Sequence, residues 1–211
     1  MSKQEKVKAV RNKEQSKQKF LNAVGEIVRE KGYTALKVND IAKVAGLDKK
    51  LIYNYFGSVD GLLDQYIRSL DFWNNVSIDV DPTEITDGGK EISKQLLTQQ
   101  YDYVANNKEL QEILIWGLAE SRKSLKDVNV GREENGEMMF KAIADPYFAN
   151  NATDFRTAMA IMISGIYYLN MYTTNADTFC GINLSNEQGR EQIKSTLKKM
   201  LDMLYDNLGK S

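Results

Sequence analysis

Apolar side chains recur at intervals of three and four residues along most of the chain from Lys17 to Leu208. This interval places apolar groups along one face of an α-helix, whereas a half-buried strand needs an alternating pattern, which no segment shows. Only two prolines, Pro82 and Pro146, occur in 211 residues, so there is room for long uninterrupted helices. No internal repeat is present. The sequence therefore predicts an all-α protein.

The first third of the chain is divided into four predicted helices by glycine stop signals and polar caps. Two glycines end the first and second helices, and an aspartate and a serine begin the third and fourth: Gly32, Gly46, Asp48 and Ser58. The first three helices form a compact core in which Ile52 and Phe56 are buried. The fourth, over residues 59–75, leaves this core and ends near Trp73. Residues 1–16 are polar and basic, and they either form a frayed arm or extend the first helix.

The remaining chain is also helical in period. Residues 76–90 contain a proline, two adjacent glycines and several acids, and are predicted to be a loop. Residues 124–136 are polar and predicted to be irregular at their start, and residues 138–143 form a short helix that stops before Pro146. The other predicted helices span 91–106, 108–121, 154–173 and 185–208. The helix at 154–173 is apolar almost all round, and the last one carries a single apolar stripe.

Charge divides the chain into two parts of opposite sign. Residues 1–60 carry 13 Lys/Arg against 7 Asp/Glu, a net charge of +6, and residues 61–211 carry 15 against 22, a net charge of −7. A basic head on an acidic body indicates that only the head meets a polyanion. Surface lysines that merely keep the chain soluble would give the same charge pattern, so other features must decide between the two interpretations.

Composition argues against several function classes. Histidine is absent, which excludes serine–histidine triads, cysteine–histidine pairs and histidine-ligated zinc. The acids Asp79, Asp81 and Glu84 have no paired base, so we expect neither an enzyme, a metal site nor a cofactor. The single cysteine, Cys180, excludes an internal disulfide and is typical of the cytoplasm. No run approaches eighteen apolar residues, and the N-terminus is lysine-rich, so neither a membrane span nor a secretory signal is expected.

The segment from Gly32 to Leu63 reads as helix, tight turn, helix. Ala42 and Ala45 are small enough for the two helices to cross closely, and Gly46 reverses the chain between them. The helix that follows Asp48 exposes two lysines, two tyrosines and an asparagine: Lys49, Lys50, Tyr53, Asn54 and Tyr55. Lysine neutralises phosphate, and tyrosine and asparagine form hydrogen bonds to phosphate oxygens. The segment therefore predicts a helix-turn-helix that binds DNA.

This segment resembles the tetracycline-repressor (TetR) family of bacterial regulators over residues 17–66. The family pattern has a glycine–aromatic pair, a Val-x-x-Ile-Ala-x-x-Ala-Gly turn, a Tyr-x-x-Phe run and a serine at the next helix start. The corresponding positions here are Gly32, Tyr33, Val38, Ile41, Ala42, Ala45, Gly46, Leu47, Asp48, Ile52, Tyr53, Phe56, Ser58, Val59 and Asp60. Three departures stand out. Lys37 replaces the usual threonine or serine that starts the second helix, Val59 replaces a lysine that contacts phosphate, and Lys50–Leu51 replaces glycine–threonine.

The resemblance implies a DNA-binding domain at 1–58 and a helical ligand-binding and dimerisation domain at 59–211. The residues expected to bind DNA are Lys37, Lys49, Lys50, Leu51, Tyr53, Asn54 and Tyr55. The residues expected to contact an unidentified small-molecule effector are Tyr101, Tyr103, Trp116, Met139, Met162, Tyr168 and Met171.

The resemblance also implies a homodimer formed through residues 154–173 and 185–208. The dimer would read a palindromic operator in double-stranded DNA and respond to its effector by a population shift through the fourth helix. The sequence itself supports the dimer, because the last two helices carry more apolar surface than a monomer covers. One alternative stays open: because Val59 stands where the family has a lysine, the head contacts a protein instead of DNA.

Overall fold

The computed structural model describes residues 3–70 and 85–209, with side chains from Arg11 onward. Its helices are α1 (Lys3–Lys31), α2 (Val38–Ala45), α3 (Lys50–Phe56), α4 (Val59–Ser69), α5 (Lys90–Ala105), α6 (Lys108–Ala119), α7 (Lys123–Met139), α8 (Asp145–Phe148), α9 (Ala152–Tyr172) and α10 (Glu187–Leu208). The all-α prediction is confirmed. Trp73 and the acids Asp79, Asp81 and Glu84 lie outside the described residues, as does the predicted loop up to residue 84.

One small sheet was not predicted. Strands β1 (Thr178–Phe179) and β2 (Ile182–Asn183) pair antiparallel, with Thr178 opposite Asn183. They are joined by two residues of positive φ, Cys180 at 49° and Gly181 at 78°, which is the geometry of a tight hairpin turn. Strands of two residues are too short to produce an alternating pattern, so sequence periodicity does not reveal them.

The head is formed by α1 to α4. Helix α1 begins at Lys3, so the basic residues before Lys17 extend the first helix. Between α2 and α3, Gly46 takes the left-handed conformation, with φ 65° and ψ 32°. Its N–H donates to Lys43 O, and the N–H of Leu47 donates to Ala42 O, which satisfies two carbonyls at the end of α2. The turn therefore requires a residue that adopts positive φ at little cost.

The head core continues into the body. Phe20, Val24, Ile41 and Ile52 form its centre and are completely buried. Three body residues belong to the same cluster: Ile113, Trp116 and Leu125. Helices α6 and α7 therefore pack directly against the head, and the two parts share buried apolar surface.

Helix α7 differs from the prediction at both ends. Its first turn is regular helix, where the sequence predicts irregular chain, because Ser124 and Leu125 are buried beside the head. Its last turn runs into a π-helical segment, Phe140–Ala144, and then into α8, so the prediction of a short helix ending before Pro146 was wrong. Pro146 lies in the first turn of α8, where its missing N–H is not needed.

The body core is a second apolar cluster between α5, α9 and α10. Its largest fully buried members are aromatic or branched: Tyr101, Phe148, Phe155, Leu97 and Ile166. Salt bridges join the rims of the same helices, with Asp202 Oδ1 lying 2.7 Å from Lys94 Nζ and 3.0 Å from Lys90 Nζ. Hydrogen bonds from these two lysines lower the pKa of the Asp202 carboxyl. Within residues 3–70 and 85–209, no helix is both long and apolar enough to cross a membrane.

Candidate nucleic-acid interface and body cavity

Helix α3 has one exposed polar face and one buried apolar face, and a side chain just before the helix caps its start. Asp48 Oδ1 accepts a hydrogen bond from the Lys50 N–H at 2.8 Å, which caps the helix start as predicted. Ile52, fully buried, holds the opposite face of α3 against the head core. Lys49, Lys50 and Asn54 are exposed, and 51% of the Tyr53 surface is exposed. The helix therefore offers cations and hydrogen-bonding groups to a partner.

The other predicted DNA-binding residues lie around this face. Lys37 is exposed at the N-cap of α2, while Leu51 and Tyr55 are half-buried and pack against the head core. Phe56, which the sequence predicts to be buried, is only half-buried and meets Phe20 edge to face, with their ring centroids 6.2 Å apart. Of the seven residues chosen from sequence, five are thus exposed, and Leu51 and Tyr55 are not.

The structure adds residues that sequence reasoning missed. Asn39 of α2 accepts a hydrogen bond from Lys49 Nζ at 3.1 Å and so joins α2 to the exposed face of α3. On α1, Lys13 Nζ lies 5.7 Å from the centre of the Tyr55 ring, and Lys17 Nζ lies 5.7 Å from the Phe56 ring. Both separations suit a cation–π contact. The only sequence signal for Lys13 and Lys17 was the surplus of lysine before residue 20, because the position of α1 relative to α3 depends on packing.

A depression beside the N-terminus of α2 enlarges the basic surface. It has a volume of about 470 Å³ and is lined by Lys31, Lys37 and Lys43, with Asp40 as its acidic residue. Lys31 and Lys43 were not selected from sequence, since each looks like an ordinary surface lysine at a helix end. Three lysines around one concave surface favour an anionic partner.

Glu109 joins the head to the body. At the start of α6, its Oε1 accepts from Arg29 Nη1 at 2.7 Å and its Oε2 accepts from Tyr66 Oη at 2.5 Å. Burial and the hydrogen bond to Glu109 raise the pKa of Tyr66. A Cβ on Gly25 would lie only 2.7 Å from Glu109 Oε2, which shows how closely α1 approaches α6 here. One carboxylate therefore holds α1, α4 and α6 together.

Arg122 forms a second junction, at the N-cap of α7. Its Nη2 donates to Asp60 Oδ1 at 2.6 Å and to Asp64 Oδ1 at 3.4 Å, both on α4. The guanidinium lies over the Trp116 ring, 5.1 Å from its centre. Trp116 in turn stacks on Tyr33 with ring centroids 5.2 Å apart. Tyr33 thus contributes to the junction between the head and α6.

The body contains an apolar cavity of about 80 Å³. Its walls come from α5, the end of α7 with the π segment, α9 and two glycines before α5: Gly88, Gly89, Ile92, Ser93, Leu96, Leu97, Gln100, Gly136, Met139, Phe140, Ile143, Ala144, Phe155, Met159 and Ile163. Gly88 has φ 67°, and a Cβ there would lie 2.2 Å from the Tyr147 ring. The backbone can approach α8 this closely only without a side chain.

An open groove of about 530 Å³ lies beside the cavity, between α7 and α9. Groove and cavity share Gly136, Phe140 and Ile163 as lining residues. Gln100, on the cavity side, donates from Nε2 to the Oη of Tyr167, on the groove side, at 2.7 Å. The two spaces therefore meet at a common wall.

The residues predicted to bind a ligand are dispersed. Met139 lines the cavity; Tyr101 and Met162 are buried in the body core, and Met171 is half-buried. Tyr103 donates to Leu70 O, Trp116 lies at the junction with the head, and Tyr168 is 51% exposed beside Tyr172 and Phe179. Gln100, Phe140 and Ile163 were missed, because their spacing resembles that of ordinary helix residues. In the described parts of the chain, no group of three acids or cysteines is placed to hold a metal ion.

Comparison with known proteins supplies a family for the head. Residues 16–66 match the family model described as bacterial regulatory proteins, tetR family. No protein of curated function matches the sequence.

Solved structures share the fold at low identity. A transcriptional regulator (TerR/AcrR family) from Aquifex aeolicus VF5 is 18% identical to this chain, with a TM-score of 0.59. The match covers 90% of this chain and 99% of the Aquifex chain. A TetR transcriptional regulator from Rhodococcus sp. RHA1 is 14% identical with a TM-score of 0.54, covering 91% and 98%. Native NalD, the secondary repressor of the MexAB-OprM multidrug efflux pump in Pseudomonas aeruginosa, is 14% identical with a TM-score of 0.50, covering 90% and 96%.

Proposed function

We propose that this chain, whose residues 16–66 match the family model of bacterial regulatory proteins, tetR family, is a ligand-responsive transcriptional repressor, active as a homodimer on a palindromic operator. The observation that carries this proposal is the exposed face of α3, where Lys49, Lys50, Tyr53 and Asn54 project from a helix anchored by buried Ile52. A short helix presented in this way fits the major groove of DNA.

The residues divide by chemistry into those that position DNA and those that read it. Lys37, Lys49 and Lys50 neutralise phosphates, and Lys13 on α1 continues the same basic surface. The amide of Asn54 and the hydroxyl of Tyr53 form hydrogen bonds to base edges or phosphates. Tyr55 and Leu51 mainly hold α3 in place, because both are half-buried against the head core.

Exposed apolar side chains on two helices support the dimer. Ile161 on α9 is 67% exposed, and Met203 on α10 is 56% exposed. Exposed apolar side chains on adjacent helices are typical of a surface that a second subunit covers. A two-fold dimer places two copies of α3 in successive major grooves, about 34–36 Å or a multiple of this apart. Bound at a promoter in the cytoplasm, such a dimer would block transcription.

Helix α7 supports the coupling between ligand and DNA. Its first turn contacts α4 through Arg122 and contributes Leu125 to the head core, while its last turn and the π segment form one wall of the cavity. A ligand that displaces this wall would change the position of α4 and of the rest of the head, and so would favour one spacing of the two heads. We therefore extend the expected lever from α4 alone to α7 and α4 together.

Selection of bound fragments from random DNA tests the proposal. We expect recovery of one palindromic site, bound with an affinity that falls steeply as salt rises. Lys49→Glu with Lys50→Glu should abolish binding. The control, Lys108→Glu with Lys126→Glu, makes the same charge change at exposed body positions and should bind normally.

Failure to select any site, or equal binding by the two double variants, would contradict the DNA-binding proposal. Capture of a protein through the head would then favour the alternative motivated by Val59. The structure gives Val59 a packing role, since it is half-buried against the head core.

A further inference from the structure

We propose that the cavity binds an uncharged, compact, mostly apolar molecule that carries one hydrogen-bonding group recognised by Gln100. The inference rests on the proposed function, because it names the class of effector for the ligand-responsive regulator. Three observations support it: the residues that line the cavity, the burial and hydrogen bonding of Gln100, and the charges along the route from the groove.

The lining excludes charged ligands. Fifteen residues within the described parts of the chain line the cavity; none of these is charged, and among them only Ser93 and Gln100 have polar side chains. Transfer of an unpaired charge into such surroundings is very unfavourable, whereas apolar atoms gain from leaving water. The ligand part that enters this space is therefore neutral and mainly hydrocarbon.

Gln100 supplies the polar contact. Its residue surface is only 1% exposed, and it lines the cavity. Among the described residues, the one hydrogen bond of its side chain is the donation from Nε2 to Tyr167 Oη. A buried amide is stabilised when its remaining donor and acceptor positions also form hydrogen bonds. The carbonyl oxygen of Gln100 is left to accept a hydrogen bond from a ligand hydroxyl. A phenol or a small alcohol has this chemistry.

The volume indicates how the ligand enters. An apolar cavity of about 150 Å³ binds benzene, so the 80 Å³ found here must expand to hold a ring. Met139 and Met159 in the lining are unbranched and adapt readily. Phe140 lines both the cavity and the groove, so we expect a change in its side-chain rotamer to open a path between the two spaces.

The charges that line the groove agree with a preference for neutral ligands. Arg156 donates from Nε to Asp145 Oδ1 at 2.9 Å and from Nη2 to Asp145 Oδ2 at 2.6 Å, and it also pairs with Glu137. Arg132 and Glu133 line the groove with opposite signs. Among the described residues, the route to the cavity thus offers no excess positive charge that would select an anion.

Calorimetry on the full-length protein without DNA tests the inference with three ring probes at pH 7: phenol, toluene and benzoate. We expect phenol to bind about three- to tenfold more tightly than toluene, the range that one hydrogen bond provides, and benzoate not to bind. Gln100→Leu should remove the preference for phenol while toluene still binds. Gln99→Leu, at an exposed position on the same helix, should behave as wild type.

Ile163→Trp fills the space shared by cavity and groove, and it should abolish binding of both neutral probes while circular dichroism remains native. Benzoate binding that Ile163→Trp removes, no detectable phenol binding, or an unchanged phenol preference in Gln100→Leu would overturn the inference. Because no DNA is present, these results are independent of the operator experiment. Phenol binding that leaves operator affinity unchanged would contradict sensing and preserve the ligand class.

Discussion

Arg122 and Asp60 form a 2.6 Å ion pair between the N-cap of α7 and the first turn of α4. The pair connects the helix that forms a cavity wall to the last helix of the head. Asp64 lies one turn further along α4 and accepts from the same nitrogen at 3.4 Å. Two carboxylates spaced four residues apart repel each other unless a cation lies between them, so Arg122 has a defined electrostatic role.

Replacing Arg122 with Ala should destabilise the protein by about 1–3 kcal/mol, because charge-assisted hydrogen bonds are lost and the two carboxylates are left facing each other. Urea unfolding monitored by circular dichroism measures the change. Arg122→Lys, which keeps the charge without the planar fork, should lose less. An unfolding midpoint for Arg122→Ala equal to that of wild type would show that the junction does not depend on this ion pair.

Stability should fall at alkaline pH partly because of Tyr66. The pKa of Tyr66 in the folded protein is raised by burial and by its bond to Glu109. Its contribution is therefore complete below the unfolded tyrosine pKa of about 10 and is lost as pH rises above it. Burial also raises the pKa of Tyr205, to about 12, so some dependence will remain without Tyr66.

Tyr66→Phe should reduce the slope of unfolding free energy against pH between about pH 10 and 12, and lower stability at pH 7 by about 1 kcal/mol. Denaturant unfolding at several pH values provides the measurement. Tyr53→Phe removes the hydroxyl of an exposed tyrosine and should leave the stability at pH 7 unchanged. Identical slopes in wild type and Tyr66→Phe would refute the assigned role.

Two glycine-to-alanine changes should act in opposite directions. Gly88 has positive φ, and a Cβ there would collide with Tyr147, so Gly88→Ala should destabilise by more than about 1 kcal/mol. Gly131 lies within α7 with no atom within 4 Å of its added Cβ, so Gly131→Ala should stabilise by up to about 1 kcal/mol. Thermal unfolding of both variants gives the comparison, and equal effects would contradict the close approach at Gly88.

Charges placed on the proposed dimer faces should separate the subunits. Ile161→Arg with Met203→Arg puts two cations on exposed apolar positions of α9 and α10, and we expect a monomer by analytical ultracentrifugation. Leu118→Arg changes an apolar residue of α6 that is 79% exposed and should retain the wild-type mass. A dimer that survives the double change would place the subunit interface elsewhere.

Local signals predicted much of the head correctly. Ser58 Oγ accepts from the Gly61 N–H at 2.9 Å, and Gly46 ends α2, as the sequence indicated. These features depend on residues within a few positions of each other, where side-chain chemistry and backbone conformation are directly coupled. The α7 start shows the limit of this reasoning, because its polar composition gave no hint that Leu125 would be buried in the head core.

The sequence by itself determined the helical class, the turn at Gly46 and the exposed polar residues of α3, since periodicity, caps and a short motif are properties of neighbouring residues. Only the tertiary structure decided that Gln100 faces a cavity, that Asn39 holds Lys49 and that Arg122 joins α7 to α4. Each of these depends on which helices pack together and at what distance. That packing results from the summed burial of many side chains and is not encoded in any one segment.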